Sequence, residues 1–281
     1  MEITAGMVNE LRRSTGSPMM DCKKALVEAG GDMEKAIQIL RERGQAKAAK
    51  RIGNETSEGV IFCKHAADGK TVSMVKITCE TEPVSKNTMF VEFGNQISDF
   101  VFNGTPEKIQ EETVQAQLVE VRAKLGENVT IGDFARLSND VTSYYVHSNK
   151  KVGVIIELEV ADKAKSANEA LQNLAKDLCL QIASMSPKSV STADLDPAFV
   201  AEEVAIIKGQ LKEDPKNANK PDEILDKIVE GRKSKIFAEA CLLEQEFVKE
   251  KMFIKELVEK VAKEVGTAVT VKSFVRYQIG Q

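Results

Sequence analysis

TGSPMMDCKKAL occupies residues 15–26 of this chain, and GDMEKAI follows at residues 31–37. In the first stretch, Ser17 is a favoured helix cap and Pro18 a favoured first helical residue, because the N–H that proline lacks needs no partner there. At the junction glycine ends that helix, and Asp32 then caps the next one. The two stretches therefore predict two short helices joined by a tight turn.

Apolar residues in this region recur at helical spacing. A stripe at i, i+3, i+4 and i+7 marks the first helix, and a similar stripe marks the second until Gly44 is expected to end it. A further helix is predicted over about 4–13. The two stripes are Cys22, Ala25, Leu26 and Ala29, then Met33, Ala36, Ile37 and Leu40. We predict a three-helix module over residues 1–54, too small to be an enzyme and suited to docking on a partner.

The composition limits the class of protein. With 42% hydrophobic and 29% charged residues among 281, the chain is typical of a globular protein, and its net charge is −4. Phosphate contacts need a concentrated basic surface, so we expect no direct nucleic-acid contact. No run of about 20 apolar residues predicts a membrane span. The first residues lack the pattern of a signal peptide, and we expect a cytoplasmic protein.

The residues that usually carry metals or covalent chemistry are few and scattered. The five cysteines include no C-x-x-C pair, which is typical of free thiols in a reducing compartment, and each lies in an apolar pattern. No His, Cys and carboxylate cluster has the spacing of metal ligands, so we predict no metal site and no cofactor. No catalytic constellation is recognisable, which disfavours an enzyme.

The chain changes from helical to alternating spacing after residue 54. Two hairpins are predicted, each followed by amphipathic helices and later by one more strand; the hairpin strands are 60–64 with 72–79 and 143–147 with 152–160. The order is not a strict β-α-β alternation, which favours antiparallel sheets with helices on one face. We predict an α+β fold whose core has an N-subdomain over 55–139 and a C-subdomain over 140–281.

One segment, at about 197–239, fits neither subdomain. Two amphipathic helical stretches flank the polar run 214–221, which predicts an antiparallel helical hairpin inserted in the C-subdomain. Its apolar seam either only closes the hairpin or also serves a contact, and the residues leave both readings open.

The opening motif closely resembles the amino terminus of the bacterial elongation factor Ts family, in TG-x-x-MMDCKKAL, in GD-x-x-x-AI and in the spacing between them. GEN at 126–128, SYYVH at 143–147 and VEGR at 229–232 also resemble elements of that family, so the resemblance covers essentially the whole chain. It implies a guanine nucleotide exchange factor for elongation factor Tu in translation elongation. It further implies a UBA-like amino-terminal module and a coiled-coil arm that contacts a partner or another copy, as in a homodimer within a 2:2 complex.

The resemblance also implies partner-binding residues. Met19, Met20 and Lys23 match positions that touch the GTPase domain of elongation factor Tu, and Gly126 and His147 match further partner-facing positions. The methionines carry independent weight, because two neighbours on a helix do not both face one core, so at least one is expected at the surface. For His147 a second interpretation has equal weight: a lone histidine at the end of a strand is often a surface residue that only makes a hydrogen bond.

Thr81, Glu82, Pro83 and Val84 stand where members of that family usually carry threonine, aspartate, phenylalanine and valine. The resemblance implies that this motif wedges into the GTPase near its magnesium and phosphate site. Pro83 replaces the aromatic wedge and is expected to hold Glu82 extended in a stiff, exposed loop. Two readings follow: an exchange factor, or a diverged protein that binds elongation factor Tu with weak or no exchange activity.

Overall fold

The computed structural model describes residues 3–213 and 222–280. Its architecture is α+β, as predicted: three helices come first, and two three-stranded antiparallel sheets with packed helices follow. Within the described ranges, no helix is long and apolar enough to cross a membrane.

The amino-terminal module consists of α1 (Ala5–Thr15), α2 (Met19–Glu28) and α3 (Met33–Arg51). The Asp32 carboxylate accepts a hydrogen bond from the Lys35 N–H at 3.1 Å, which confirms the predicted cap of α3. The buried side chains of the three helices form one cluster: Val8, Leu11, Cys22, Ala25, Leu26, Ala36 and Leu40. The three-helix module is confirmed, whereas its UBA-like character stays a prediction.

The first sheet has the antiparallel order β1-β2-β3. Its strands are β1 (Glu58–His65), β2 (Thr71–Cys79) and β3 (Val129–Ser138). Between β2 and β3 lie α4 (Glu82–Ser85), α5 (Thr88–Phe102), a 3-10 turn (Pro106–Gln110) and α6 (Glu112–Leu125). The sheet packs on α5 so tightly that a Cβ on Gly94 would lie 2.2 Å from the ring of Phe62.

Three details of the module differ from the prediction. Pro18 directly precedes α2, so Ser17 lies one residue too early for its hydroxyl to cap that helix. Gly44 does not end α3, because it lies where α3 packs on α6: a Cβ on Gly44 would lie 3.0 Å from the Cβ of Ala123. Ile37 faces away from the core of the module and is 39% exposed.

The second sheet repeats the plan in the antiparallel order β4-β5-β6. Its strands are β4 (Val141–Val146), β5 (Val152–Val160) and β6 (Val269–Gln278). Between β5 and β6 lie a 3-10 turn (Lys163–Lys165), α7 (Glu169–Met185), α8 (Pro197–Glu213), α9 (Asp222–Ala240), a 3-10 turn (Leu242–Glu244) and α10 (Ile254–Val265). Helices α7 and α10 share one large apolar cluster with this sheet.

The two sheets meet in an apolar seam. Ile61 and Met74 of the first sheet pack with Ile155 of the second. A Cβ on Gly153 would lie 2.6 Å from Cγ2 of Ile61 and 2.7 Å from Sδ of Met74, so glycine allows this close approach. The seam joins the two sheets into one core.

Helices α8 and α9 form the predicted hairpin. Their facing side chains make one small apolar cluster: Leu211, Leu225 and Val229, with Val204, Ile207 and Ile228 half-buried beside them. A second cluster, centred on Leu195, Ala240 and Cys241, holds the base of the hairpin. The polar run 214–221, which is predicted to make the turn, lies outside the described residues.

Candidate functional site

The motif at 81–84 forms a short helical turn directly after β2. The expectation that Glu82 is extended is wrong, because Glu82 begins α4 and Thr81 is the extended residue, with φ −131° and ψ 153°. Pro83 suits the first turn of a helix, where its fixed φ is favourable and no N–H is needed. The Ser85 hydroxyl donates to the Glu82 carbonyl at 2.7 Å and secures the turn. Thr81, Glu82 and Pro83 are exposed, and Val84 is half-buried.

Thr81 is held by a residue that follows α6, 46 positions further along the chain. Its N–H and its hydroxyl donate to the two carboxylate oxygens of Glu127, at 2.9 and 2.5 Å. Glu127 follows Gly126, which ends α6 with φ +71°, a conformation that favours glycine. The sequence-predicted Gly126 thus lies beside the 81–84 loop, and it orients the residue that anchors that loop.

A polar cluster lies next to the loop, and we call it the Glu80 network: Glu80, Arg51, Asn54 and Asn128. Asn128 is buried, Glu80 and Arg51 are half-buried, and Asn54 is exposed. The Glu80 carboxylate accepts hydrogen bonds from the Asn128 N–H at 2.6 Å, from Asn54 at 3.0 Å and from Arg51 at 3.1 Å. Its side chain is 18% exposed. Partial burial opposes ionisation, yet these donors outweigh it and hold the pKa of Glu80 below its ordinary value.

The exposed face of the loop carries charge. The Lys86 ammonium lies 2.7 Å from the Glu82 carboxylate, and its hydrogen bond and charge lower the pKa of Glu82, with a smaller contribution from Lys151. Lys151 itself forms an ion pair with Glu58, at the start of β1, at 2.6 Å. The loop therefore presents an ionised carboxylate to solvent at neutral pH.

His147 lies just after β4 and is exposed. A hydrogen bond of 2.9 Å joins its Nδ1 to the Tyr145 hydroxyl, and its carbonyl accepts from the Lys150 N–H at 2.7 Å. The Lys150 carbonyl in turn accepts from the Ile61 N–H at 2.9 Å, which ties the β4–β5 turn to β1. Through Lys151, this turn and the 81–84 loop share one charged end of the core.

The remaining predicted residues form a separate surface on α2. Met19 and Met20 are 47% and 62% exposed, which confirms that at least one of the pair lies at the surface. Lys23 is exposed one turn further along the helix. The structure thus divides the predicted residues between two surfaces, one on α2 and one at the end of the core that carries the loop.

Sequence reasoning missed Glu80 and Lys151, and it named Glu127 and Asn128 as part of the GEN element without assigning them a role. Glu80 directly precedes the predicted motif, and Asn128 completes the GEN element, so adjacency to a motif was the one signal available. Their roles depend on contacts between residues 26 to 93 positions apart, which no local pattern reports.

Two cysteines of the first sheet, Cys63 and Cys79, are not activated as nucleophiles. Burial raises the pKa of Cys63 and of Cys79 to about 12, so both stay protonated at neutral pH. In the ranges 3–213 and 222–280, no group of three His, Cys, Asp or Glu residues is placed to hold a metal ion.

The fold and these surfaces define a modular α+β protein that exposes the predicted site residues on a helical module and at one end of a two-sheet core. The family model described as elongation factor TS matches residues 80–281. Elongation factor Ts of Nitratidesulfovibrio vulgaris is 39% identical over 285 residues, covering 100% of this chain and 97% of that protein. Elongation factor Ts of Clostridium perfringens and of Clostridium kluyveri are each 40% identical, covering 99% of this chain and 93% of theirs. The chain belongs to the elongation factor Ts family and is thus a translation elongation factor.

Proposed function

We propose that this protein is a guanine nucleotide exchange factor for elongation factor Tu and that the 81–84 loop acts on the Mg²⁺ and phosphate site of that GTPase. The observation that carries the proposal is the placement of the loop: Thr81, Glu82 and Pro83 are exposed at one end of the core, while Glu127 anchors Thr81 from behind. An anchored, exposed loop keeps its shape when it enters a partner.

Exchange needs no acid or base from this chain. A factor that binds the GTPase more tightly when nucleotide is absent must, by thermodynamic reciprocity, weaken GDP binding by the same factor. Bound Mg²⁺ bridges the phosphates and needs near-octahedral oxygen ligands, so a small displacement of its surroundings loosens GDP. The exposed Glu82 carboxylate is suited to repelling phosphate or to competing for that cation.

Docking is assigned to the other surface. We propose that Met19, Met20 and Lys23, in a module spanning residues 1–54, grip the GTPase domain, and that His147 adds a contact beside the loop. The core subdomains are assigned to 55–139 and 140–281. The arm at about 197–239 is assigned to contact with a partner or with another copy, as in a homodimer within a 2:2 complex in the cytoplasm. The exposed methionine pair supports the first assignment, because flexible thioethers adapt to a partner surface.

A second candidate function is binding without exchange. Pro83 favours it, because proline lacks the flat ring that members of the family usually carry at this position and that displaces packed side chains. An exposed proline in α4 offers less volume to a partner than a phenylalanine would.

Stopped-flow release of a fluorescent GDP analogue from elongation factor Tu separates the two functions. An exchange factor raises the release rate with its concentration until the rate saturates. A protein that binds without exchange forms a complex, measured by titration calorimetry, and leaves the release rate unchanged. Absence of both complex and acceleration would refute both candidates.

A further inference from the structure

The Glu80 network connects two parts of the molecule that the proposed function assigns to different contacts. On the side of the module, Arg51 and Asn54 lie at and just after the end of α3, and both donate to the Glu80 carboxylate. Asn128 adds two bonds to the same segment: its side-chain amide donates to the carbonyls of Ile52 at 3.2 Å and Asn54 at 2.8 Å. The end of α3 is thereby fixed to the core.

On the side of the loop, the same residues lead to Thr81. The Asn128 N–H donates to Glu80, and the preceding residue, Glu127, holds both the N–H and the hydroxyl of Thr81. Glu80 and Thr81 are also adjacent in the chain. Two sets of charge-assisted hydrogen bonds, one on Glu80 and one on Glu127, therefore connect Arg51 to the start of α4 through the peptide bond between Glu127 and Asn128. Such bonds are stronger than neutral ones.

The second subdomain shows what this position looks like without a module beside it. The residue after β5 is Ala161, where Glu80 follows β2, and the residue before β6 is Ala268, where Asn128 precedes β3. The backbone alone joins this pair, with the Ala161 N–H donating to the Ala268 carbonyl at 3.0 Å. The second subdomain thus joins these two positions without a carboxylate. The polar pair Glu80 and Asn128 in the first subdomain is therefore not needed to join the strand ends, and it has another role.

We infer that Glu80 is a positioning residue that fixes the amino-terminal module and the 81–84 loop in one orientation, so that a partner meets both as a single preformed surface. The inference rests on the proposed function, since it concerns how its two contact surfaces are joined. When two contact surfaces are held in a fixed relative orientation, binding at one raises the effective concentration of the other for the partner. A looser connection between the module and the core loses part of this gain in affinity. The close contact between Gly44 and Ala123 provides a second support for the same orientation.

The first test uses the free protein. Arg51→Met removes the ion pair to Glu80 and keeps an apolar stem of similar length. Amide hydrogen exchange at residues 81–85 is expected to accelerate about fivefold or more, because the Glu80 network and the 81–84 loop open together. Arg43→Met is the matched control, since Arg43 pairs with Glu28 inside the module, and it should leave those amides unchanged. Unchanged exchange in Arg51→Met would overturn the inference.

The second test measures binding to elongation factor Tu by titration calorimetry in a double-mutant cycle. Arg51→Met should weaken binding roughly five- to tenfold when the module is intact. In a Met19→Ala, Met20→Ala background the module no longer binds elongation factor Tu, so Arg51→Met should weaken the affinity by less than about twofold. An equal cost in both backgrounds would mean that Arg51 only stabilises the core, and the inference would be wrong.

Asn54→Ala, which removes one weaker donor, replaces Arg51→Met if that variant unfolds, with the same expectations at smaller size. The inference and the proposed function fail separately. Wild-type protein that binds but does not accelerate GDP release contradicts the exchange function and leaves the cycle readable. Acceleration by the wild type together with no coupling in the cycle contradicts the inference alone.

Discussion

The two subdomains of the core share one plan and differ where the candidate site lies. In each, a hairpin leads into a short helical turn, then longer helices, then a third strand that pairs with the second strand of the hairpin. Gly126 and Gly266 end the last helix of each copy with φ of +71° and +70°. The residue after each glycine reaches back to the short turn: Glu127 holds the Thr81 N–H, and the Thr267 hydroxyl holds the Asp162 N–H at 3.0 Å.

The difference lies in what these equivalent bonds support. A hydroxyl makes one neutral hydrogen bond to Asp162, whereas the Glu127 carboxylate takes two donors from Thr81 and stands beside a second carboxylate, Glu80. The same backbone therefore carries a plain closing turn in one copy and a firmly held, exposed loop in the other. Function in this fold is set by side chains placed on a repeated frame.

The largest expected effect tests whether the copies are one unit. Ile97→Ala and Ile182→Ala each remove a fully buried side chain, the first from the apolar cluster of the first subdomain and the second from that of the second subdomain. Each should lower the free energy of unfolding by about 2–5 kcal/mol. Because the seam around Gly153 joins the sheets, both should shift a single urea transition. Two transitions, each moved by only one of the variants, would show that the copies unfold independently.

The second expected effect concerns volume at the loop. Pro83→Phe should raise the rate of GDP release from elongation factor Tu about tenfold, because a buried ring contributes roughly 1.5–3 kcal/mol and a tenfold change needs about 1.4 kcal/mol. Ala164→Phe adds the same ring at the equivalent exposed position of the second copy and should leave the rate unchanged.

Glu82→Gln completes this comparison in the same stopped-flow assay. If charge rather than volume acts on the phosphate site, Glu82→Gln slows release and Pro83→Phe changes little. Equal rates for wild type and both variants would contradict a role for the 81–84 loop in exchange.

The third expected effect separates stability from function at matched glycines. Gly126→Ala and Gly266→Ala each place a Cβ on a left-handed residue and should each cost about 1 kcal/mol of unfolding free energy. Only Gly126→Ala should also slow GDP release, by a fewfold, because Gly126 orients Glu127 and thereby Thr81. The contrary result would be equal slowing by both variants, which would trace the loss to general stability.

Much of this frame is predictable from the sequence. The hairpins, the helical arm, the cap at Asp32 and an exposed methionine are all consequences of local spacing or local hydrogen bonds, and the structure confirms them. The errors arose where tertiary contacts override local preference. Gly44 continues α3 because small residues allow α3 and α6 to approach, and the turn at Glu82 is helical because Thr81 is held at its start.

The Glu80 network was beyond local reasoning for a different reason. A glutamate after a strand and an asparagine before one are ordinary residues in ordinary places, and the sequence does not show that the end of α3 packs between them.

The smallest expected effect is a change in how stability depends on pH, and it also compares the copies, since only the first has this carboxylate. The donors around Glu80 lower its pKa in the folded state, so its contribution is complete above the unfolded carboxyl pKa of about 4.3 and is lost as pH falls through the lower folded pKa. Unfolding free energies from urea titrations should therefore differ between wild type and Glu80→Gln at pH 7 and converge towards pH 3.

Glu82→Gln is the matched control, because the pKa of Glu82 is also lowered, but by an exposed lysine that salt screens. In high salt the pH-dependent difference should persist for Glu80→Gln and vanish for Glu82→Gln. A Glu80→Gln difference that salt also removes would mean that the network is a surface ion pair, too weak to hold the module and the loop together.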